Sequence, residues 1–385
     1  MKAINEFFDS LIEWSTPAKP IWNKEAILEG HSPKWNYIDG CMAKAILDMY
    51  ETTKKEEYLR FLDEFIDFYI DEGGTILGYH MEDLNCDNIN EGKVLFWLYE
   101  LTGKTKYKQA LDTLYQQITI QPRTKSGNFW HKKIYPHQIW LDGLYMVQPF
   151  YLTYEAKFNN NKNYKDVFHQ FEQVYQLMRD TKTKLLYHGY DETRDCFWSC
   201  NESGCSKNFW TRSLGWYTMA LVDTLEVLDE QFFYEYEVLQ GYLKEVLDAL
   251  LTFADPATGM FHQVTDQGER PGNCLETSGT CAIAYSLMKG ARLKFLPAHY
   301  YDYGCRILNS VAQYKLLKED GVFVLKDICL IAGLGGMPGK GDYKVRDGSY
   351  EYYVSEPIVD NDAKGVAPLI FAYSEYLRKE EDKRC

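Results

Sequence analysis

Three short segments concentrate side chains able to do chemistry. The first is HKKIYPHQIWLDGLYM, in which Asp142 stands among Trp140, Leu141, Leu144 and Met146. A carboxylate with such apolar neighbours loses hydration, its pKa rises, and it suits a general acid near neutral pH. The same position, just ahead of Gly143, equally suits an Asp that caps a helix. The second segment, NCDNIN, sets Asp87 among amides, where it stays ionised more readily. Two acids in contrasting surroundings form the pattern that divides a proton donor from a base or charge stabiliser, although helix capping accounts for Asp87 as well. The third, NFWTRSLGW, flanks Arg212 with Trp210 and Trp216. Two flat apolar faces around a fork of donors suit a sugar ring bearing a carboxylate. An Arg stacked on core aromatics and paired with an acid reads the same way. His131 and His188 are weaker signals, each equally a satisfied structural histidine.

Other chemistries find little support. The sequence has no G-x-x-x-x-G-K-[ST], no G-x-S-x-G and no H-E-x-x-H. LGGMPGKG, from Leu334 to Gly341, is Gly-rich but opens no apolar helix, so it reads as a mobile loop on a cavity rim. Among the 10 Cys, the cluster Cys196, Cys200 and Cys205 lacks the C-x2-C pairs of zinc ribbons. These are expected to be incidental thiols, with no metal and no organic cofactor.

Composition narrows the partners. The 56 acidic residues against 42 basic ones give a formal charge of -14, which argues against binding nucleic-acid backbones. No apolar run reaches the roughly 18–20 residues of a membrane span. The opening MKAINEFFDSLIEWS reads as an amphipathic helix and lacks the apolar core of a secretory signal, so the chain is expected in the cytoplasm. Aromatic residues make up 16%, enough to fill a helical core and to supply platforms for the C–H faces of sugars.

Helical periodicity dominates the elements that must carry these residues. Stretches 56–71, 164–179 and 242–253 each place apolar side chains three or four apart. Strand-like alternation is scarce, and turns such as Thr102-Gly103-Lys104 and the run before Gly321 separate the helices. A recurring helix opening, in which a small or polar residue leads through Gly into an apolar helix, marks Gly40, Gly92, Gly143, Gly215, Gly279 and Gly365. The separations leave room for one helix going in and one returning. Six such hairpins can close as an inner ring inside an outer ring, an all-α (α/α)6 barrel, with an open solenoid or two helical domains as alternatives. No Pro/Ser-rich linker interrupts the chain, so a single domain over 1–385 is the economical expectation.

HKKIYPHQIWLDGLYM, FWTRSLGWYTMALVD and SEPIVDNDAKGVAPLIFAY together resemble the unsaturated rhamnogalacturonyl hydrolases of glycoside hydrolase family 105. Family 88, the unsaturated glucuronyl hydrolases, shares the fold and is the nearest competitor. The resemblance implies an (α/α)6 barrel and a substrate left by polysaccharide lyases, an oligosaccharide ending in a 4,5-unsaturated uronic acid. It implies Asp142 as catalytic acid/base and Asp87 as its partner. His188, Trp210, Arg212 and Trp216 would line the terminal sugar subsite, joined by His131, Lys132, Trp140, Met146 and Tyr37. Arg212 or the Lys132/His131 pair would hold the substrate carboxylate. The expected reaction protonates C4 of an enol ether, adds water at C5 and releases the neighbouring sugar, unlike hydrolysis that starts at the leaving oxygen. An unsaturated glucuronyl hydrolase acting on glycosaminoglycan- or ulvan-type chains, or a non-catalytic sugar-binding toroid, is the alternative. The oligomeric state is left open.

Overall fold

The computed structural model describes residues 1–336 and 345–382. Residues 337–344, most of the Gly-rich segment expected to form a rim loop, lie outside the described residues. Two helices, α1 (Lys2–Glu13) and α2 (Lys24–Glu29), precede five hairpins. These are α3 (Tyr37–Thr53) with α4 (Glu56–Tyr69), α5 (Lys93–Thr102) with α6 (Thr105–Ile120), and α7 (Leu141–Phe158) with α8 (Tyr164–Met178). They continue with α9 (Thr211–Val227) and α10 (Phe233–Thr252), then α11 (Thr277–Arg292) and α12 (His299–Tyr314). A short α13 (Tyr350–Val354) leads to α14 (Ala363–Asp382).

The ring closes. α3 packs on the 3-10 segment Cys86–Gly92 that leads into α5, and that segment packs on α7. α7 then meets α9, α9 meets α11, α11 meets α14, and α14 returns to α3. The architecture is an all-α (α/α)6 barrel. Its sixth hairpin differs from the sequence expectation: among the described residues the helix that packs beside α14 is α1, from the start of the chain. Inner helices such as α9 and α11 are buried along almost their whole length. Outer helices bury one stripe; in α4 it is Tyr58, Leu62, Phe65, Ile66 and Tyr69, as a period of 3.6 demands. The helix expected over 242–253 begins nine residues earlier, at Phe233, because α10 opens with exposed Phe233 and Tyr234 that give no inward stripe.

The recurring glycines mark close approaches between inner segments. A Cβ on Gly40 would stand 2.6 Å from the backbone of Glu91, and one on Gly279 would stand 2.7 Å from the backbone of Thr211. Only glycine allows that contact.

Three small two-stranded antiparallel sheets join the helices. β1 (Gln138–Trp140) pairs with β2 (Gly189–Asp191), placing Trp140 opposite Gly189. β3 (Leu316–Glu319) and β4 (Val322–Leu325) form a hairpin whose turn residues, Asp320 and Gly321, both have positive φ. β5 (Ile328–Cys329) pairs with β6 (Ile358–Val359). Among the described residues no helix is long and apolar enough to cross a membrane.

Candidate active site

The end of β1 and the starts of α3, α7 and α9 meet at one cavity of ≈ 130 Å³. Asp142 lies in the first turn of α7, directly after β1. It does not cap that helix: the N-cap is Trp140, and no side chain bonds the free amides there. The capping explanation fails for Asp87 too, since Asn85 caps the 3-10 segment by accepting from the Asp87 amide. Both carboxylates instead line the cavity.

Their surroundings differ from the expected ones. Burial pushes the Asp142 carboxyl up, but His188, His131 and Arg212 around it outweigh that and hold it below the ordinary aspartate range. Of the apolar neighbours along the chain, Leu141 and Leu144 belong to the barrel core and do not line the cavity, whereas Trp140 and Met146 do. The expectation of an Asp142 kept neutral by desolvation is therefore corrected for the free protein. The partners of Asp87 are charged or ring groups rather than the amides beside it in sequence: Lys132 Nζ stands 2.6 Å from Oδ2, and His131 Nε2 is 3.5 Å from Oδ1.

His188 does not line the cavity. It is fully buried behind Asp142, enclosed by the rings of Trp140, Trp210 and Tyr353. The β1–β2 pairing puts it there, through a hydrogen bond from the Leu141 amide to the His188 carbonyl. Its Nε2 faces Asp142 Oδ2 at 3.5 Å, and its Nδ1 is 2.8 Å from the Tyr353 hydroxyl. A carboxylate oxygen only accepts, so Nε2 carries the hydrogen and Nδ1 accepts from Tyr353. Burial holds the Tyr353 phenol far above its usual pKa, so it remains a donor.

The remaining expected residues gather around the same space. Trp140 is sandwiched between His131 and Tyr135, with ring centroids 4.6 and 4.9 Å away. Trp216 stacks on Tyr145, and Trp210 carries the Arg212 guanidinium 4.7 Å over its face. Tyr37 and Met146 complete the lining. Arg212 is 3% exposed and reaches only neutral oxygens: the carbonyls of Cys329 and Leu330 and the Ser278 hydroxyl. Among the described residues, the acid partner that a purely structural Arg would need is not in contact with it. Burial pushes the His131 imidazole down to about 4, so that ring is neutral at physiological pH.

Residues 18–380 match the family model described as Glycosyl Hydrolase Family 88. A family 105 glycoside hydrolase from C. acetobutylicum ATCC 824 is 42% identical, covers 96% of this chain and 99% of its own, and superposes with a TM-score of 0.86. The chain belongs to this family 88 and 105 group of glycoside hydrolases. Other proteins similar to it include the 24.9 kDa protein in the picA locus of Rhizobium radiobacter, 36% identical over 238 residues that cover 60% of this chain and 98% of that one. The unsaturated rhamnogalacturonyl hydrolase YesR of Bacillus subtilis is 24% identical over 265 residues, 67% of this chain and 72% of its own.

In this glycoside hydrolase the cavity also contains residues that the sequence did not single out: Glu25, Tyr135, Ile331 and Arg346. Glu25 sits on α2, six residues long and without a buried stripe, so no periodic pattern marked it. Arg346 is tied to the rim by a two-way backbone pairing with Gly335, and its Nε is buried without a hydrogen-bond partner. Tyr353 arrives from α13, whose five residues include three buried tyrosines that read as ordinary core. The cysteines of the 196–205 segment stand apart from this site: Cys200 is exposed, Cys205 is buried, and Cys196 contacts Gln138. Among the described residues no group of three His, Cys, Asp or Glu side chains is placed to hold a metal.

Proposed function

We propose that this glycoside hydrolase removes a 4,5-unsaturated galacturonic acid from the non-reducing end of lyase-generated rhamnogalacturonan oligosaccharides. The observation that carries the reading is Arg212, a buried cation with no carboxylate in contact, on the wall of a cavity sized for one sugar ring and facing Asp142. A buried charge without a counter-ion is costly, and an anionic ligand group relieves it. Lys132 is committed to Asp87, His131 is neutral and Arg346 has the Glu356 carboxylate 3.9 Å away, so Arg212 is the cation best placed to hold the terminal carboxylate. The name of the YesR relative supports a rhamnogalacturonyl substrate.

The chemistry begins with proton uptake. In the free protein Asp142 is held low by surrounding positive charge and polarity. A substrate carboxylate on Arg212 cancels part of that field, and the sugar displaces water from the carboxyl; both effects raise the Asp142 pKa. His188 Nε2–H, 3.5 Å away, keeps the carboxyl oriented and offers it a hydrogen. Protonated Asp142 then gives its proton to C4 of the enol ether. The C4=C5 electron pair forms the new C–H bond, and positive charge develops on C5 and the ring oxygen. Water adds at C5 as Asp142, now a carboxylate, takes its proton. The resulting hemiketal opens and the neighbouring sugar leaves with its glycosidic oxygen. Trp210, Trp216 and Trp140, whose faces are already stacked on protein groups, supply apolar surface to the pocket wall rather than free stacking platforms. Asp87, neutralised by Lys132, serves as the second carboxylate at the edge of the ring.

Incubation with lyase digests of rhamnogalacturonan, glycosaminoglycan and ulvan tests the reading. The expected result is loss of the ultraviolet absorbance of the conjugated double bond fastest in the rhamnogalacturonan digest. Faster loss in either of the others would reassign the substrate, and loss in none would remove the activity.

A further inference from the structure

A second cavity, ≈ 600 Å³, opens beside the terminal pocket. Glu25, Tyr37, Asp87 and Lys132 line both spaces, so the groove starts where the pocket ends. Its outer wall is the chain from 18 to 36, which includes α2 and precedes the first hairpin, together with the first turn of α3. If ≈ 130 Å³ takes one ring, a space more than about four times larger takes at least two further rings.

The charges along this groove are ordered. At the junction both acids are already paired: Asp87 with Lys132 at 2.6 Å, and Glu25 with Lys364 at 2.6 Å. A ring seated there meets a balanced, hydrogen-bonding surface that includes the side chain of Asn88. Farther out, Glu29 lies 3.2 Å from the His31 ring, and Asp39 is bound by Trp22, Asn23 and Asn36. Lys19 and Lys34 are exposed, line the groove and form no ion pair among the described residues.

We propose that this groove binds the aglycone of the substrate over at least two sugars, a neutral one at the junction and an anionic one, a uronate, against Lys19 and Lys34. The inference rests on the proposed hydrolysis of unsaturated chains and adds their length and charge pattern. A neutral sugar followed by a uronate is also the order that a repeating rhamnose–galacturonate chain would present. The distal uronate gains two cations at a wet surface, so its contribution falls as salt screens it.

The test compares kcat/KM for the unsaturated disaccharide and tetrasaccharide from rhamnogalacturonan lyase digestion, in the wild-type chain and in a Lys19→Ala/Lys34→Ala double variant. Wild type is expected to favour the tetrasaccharide at least tenfold, mainly through KM. The double variant is expected to lose most of that ratio, and methyl esterification of the inner uronate is expected to do the same to wild type. Both lysines are exposed, so the variant keeps its fold, which circular dichroism checks. Equal kcat/KM for the two chains in wild type would overturn the proposal while leaving the hydrolysis intact. So would an unchanged ratio in the double variant. Failure to consume either chain would overturn the proposed function and this inference with it.

Discussion

His188 Nε2 and Asp142 Oδ2 stand 3.5 Å apart, and the far nitrogen of the same ring is held 2.8 Å from the Tyr353 hydroxyl. The three groups come from β1–α7, the residue before β2, and α13, and the chain of contacts fixes which imidazole nitrogen points its hydrogen at the carboxyl. Tyr353→Phe removes only a hydroxyl that donates to Nδ1. A hydrogen bond of about 1–1.5 kcal/mol that orients a catalytic group is worth roughly tenfold in rate. The variant is expected to lower kcat about tenfold with KM nearly unchanged. An unaltered kcat would make Tyr353 packing alone.

The position of the Asp142 pKa gives a second prediction. In the free protein His188, His131 and Arg212 overcome burial and hold the carboxyl low. Substrate binding works in the opposite direction. The pH dependence of kcat/KM reports the free protein and that of kcat the bound complex. The basic-side pKa in kcat is therefore expected to lie above the one in kcat/KM. Coincident values in the two profiles would contradict proton uptake on binding.

Arg212 has neutral oxygens as its contacts, which makes it the carboxylate holder in this account. Losing a charged hydrogen-bonded contact costs roughly 1.5–3 kcal/mol, about ten- to a hundredfold in affinity. Arg212→Gln is expected to raise KM by that factor. Steady-state kinetics with the unsaturated disaccharide would show it, and a larger KM effect for His131→Gln than for Arg212→Gln would move the carboxylate to the other wall.

His131 yields a prediction about stability. Its pKa falls from 6.5 to about 4 because burial disfavours the charged ring. The unfolded chain binds the proton first, so this group stabilises the fold above pH 6.5 relative to lower pH, and that contribution disappears progressively as pH falls toward 4. At pH 5 the interval is 6.5 minus 5, worth about 2 kcal/mol at 1.36 kcal/mol per unit. Urea unfolding at pH 7 and pH 5 is expected to differ by about 2 kcal/mol less in His131→Asn than in wild type. An equal difference in both would mean the ring titrates normally in the fold.

Much of the barrel was readable in the residues themselves. An inner helix must bury nearly all of its surface and approach its neighbour closely, and both demands leave marks: apolar runs and a glycine at the point of contact, as at Gly40 against Glu91. The site residues stood out because Asp142, Arg212 and the tryptophans are unusual occupants of helix starts. What could not be read were relations between distant segments. The Asp142 environment is set by His188, whose approach depends on strands three residues long, and by Arg212 from the start of α9. Likewise Lys132 pairs with Asp87 only because the bridge between Asn85 and Lys132 brings the two loops side by side. The groove wall from 18 to 36 has no periodic signal, since its residues are placed by caps and turns such as those of Asn23 and Asn36.

The most direct measurement follows the ultraviolet absorbance of an unsaturated rhamnogalacturonan disaccharide in the presence of Asp142→Asn. The amide is nearly the same size as the acid and has no proton to give to C4. The account predicts a folded variant, by circular dichroism and thermal melting, that leaves the absorbance unchanged over times in which wild type removes it. Disappearance of the double bond at the wild-type rate would contradict the assignment of Asp142 as the proton donor.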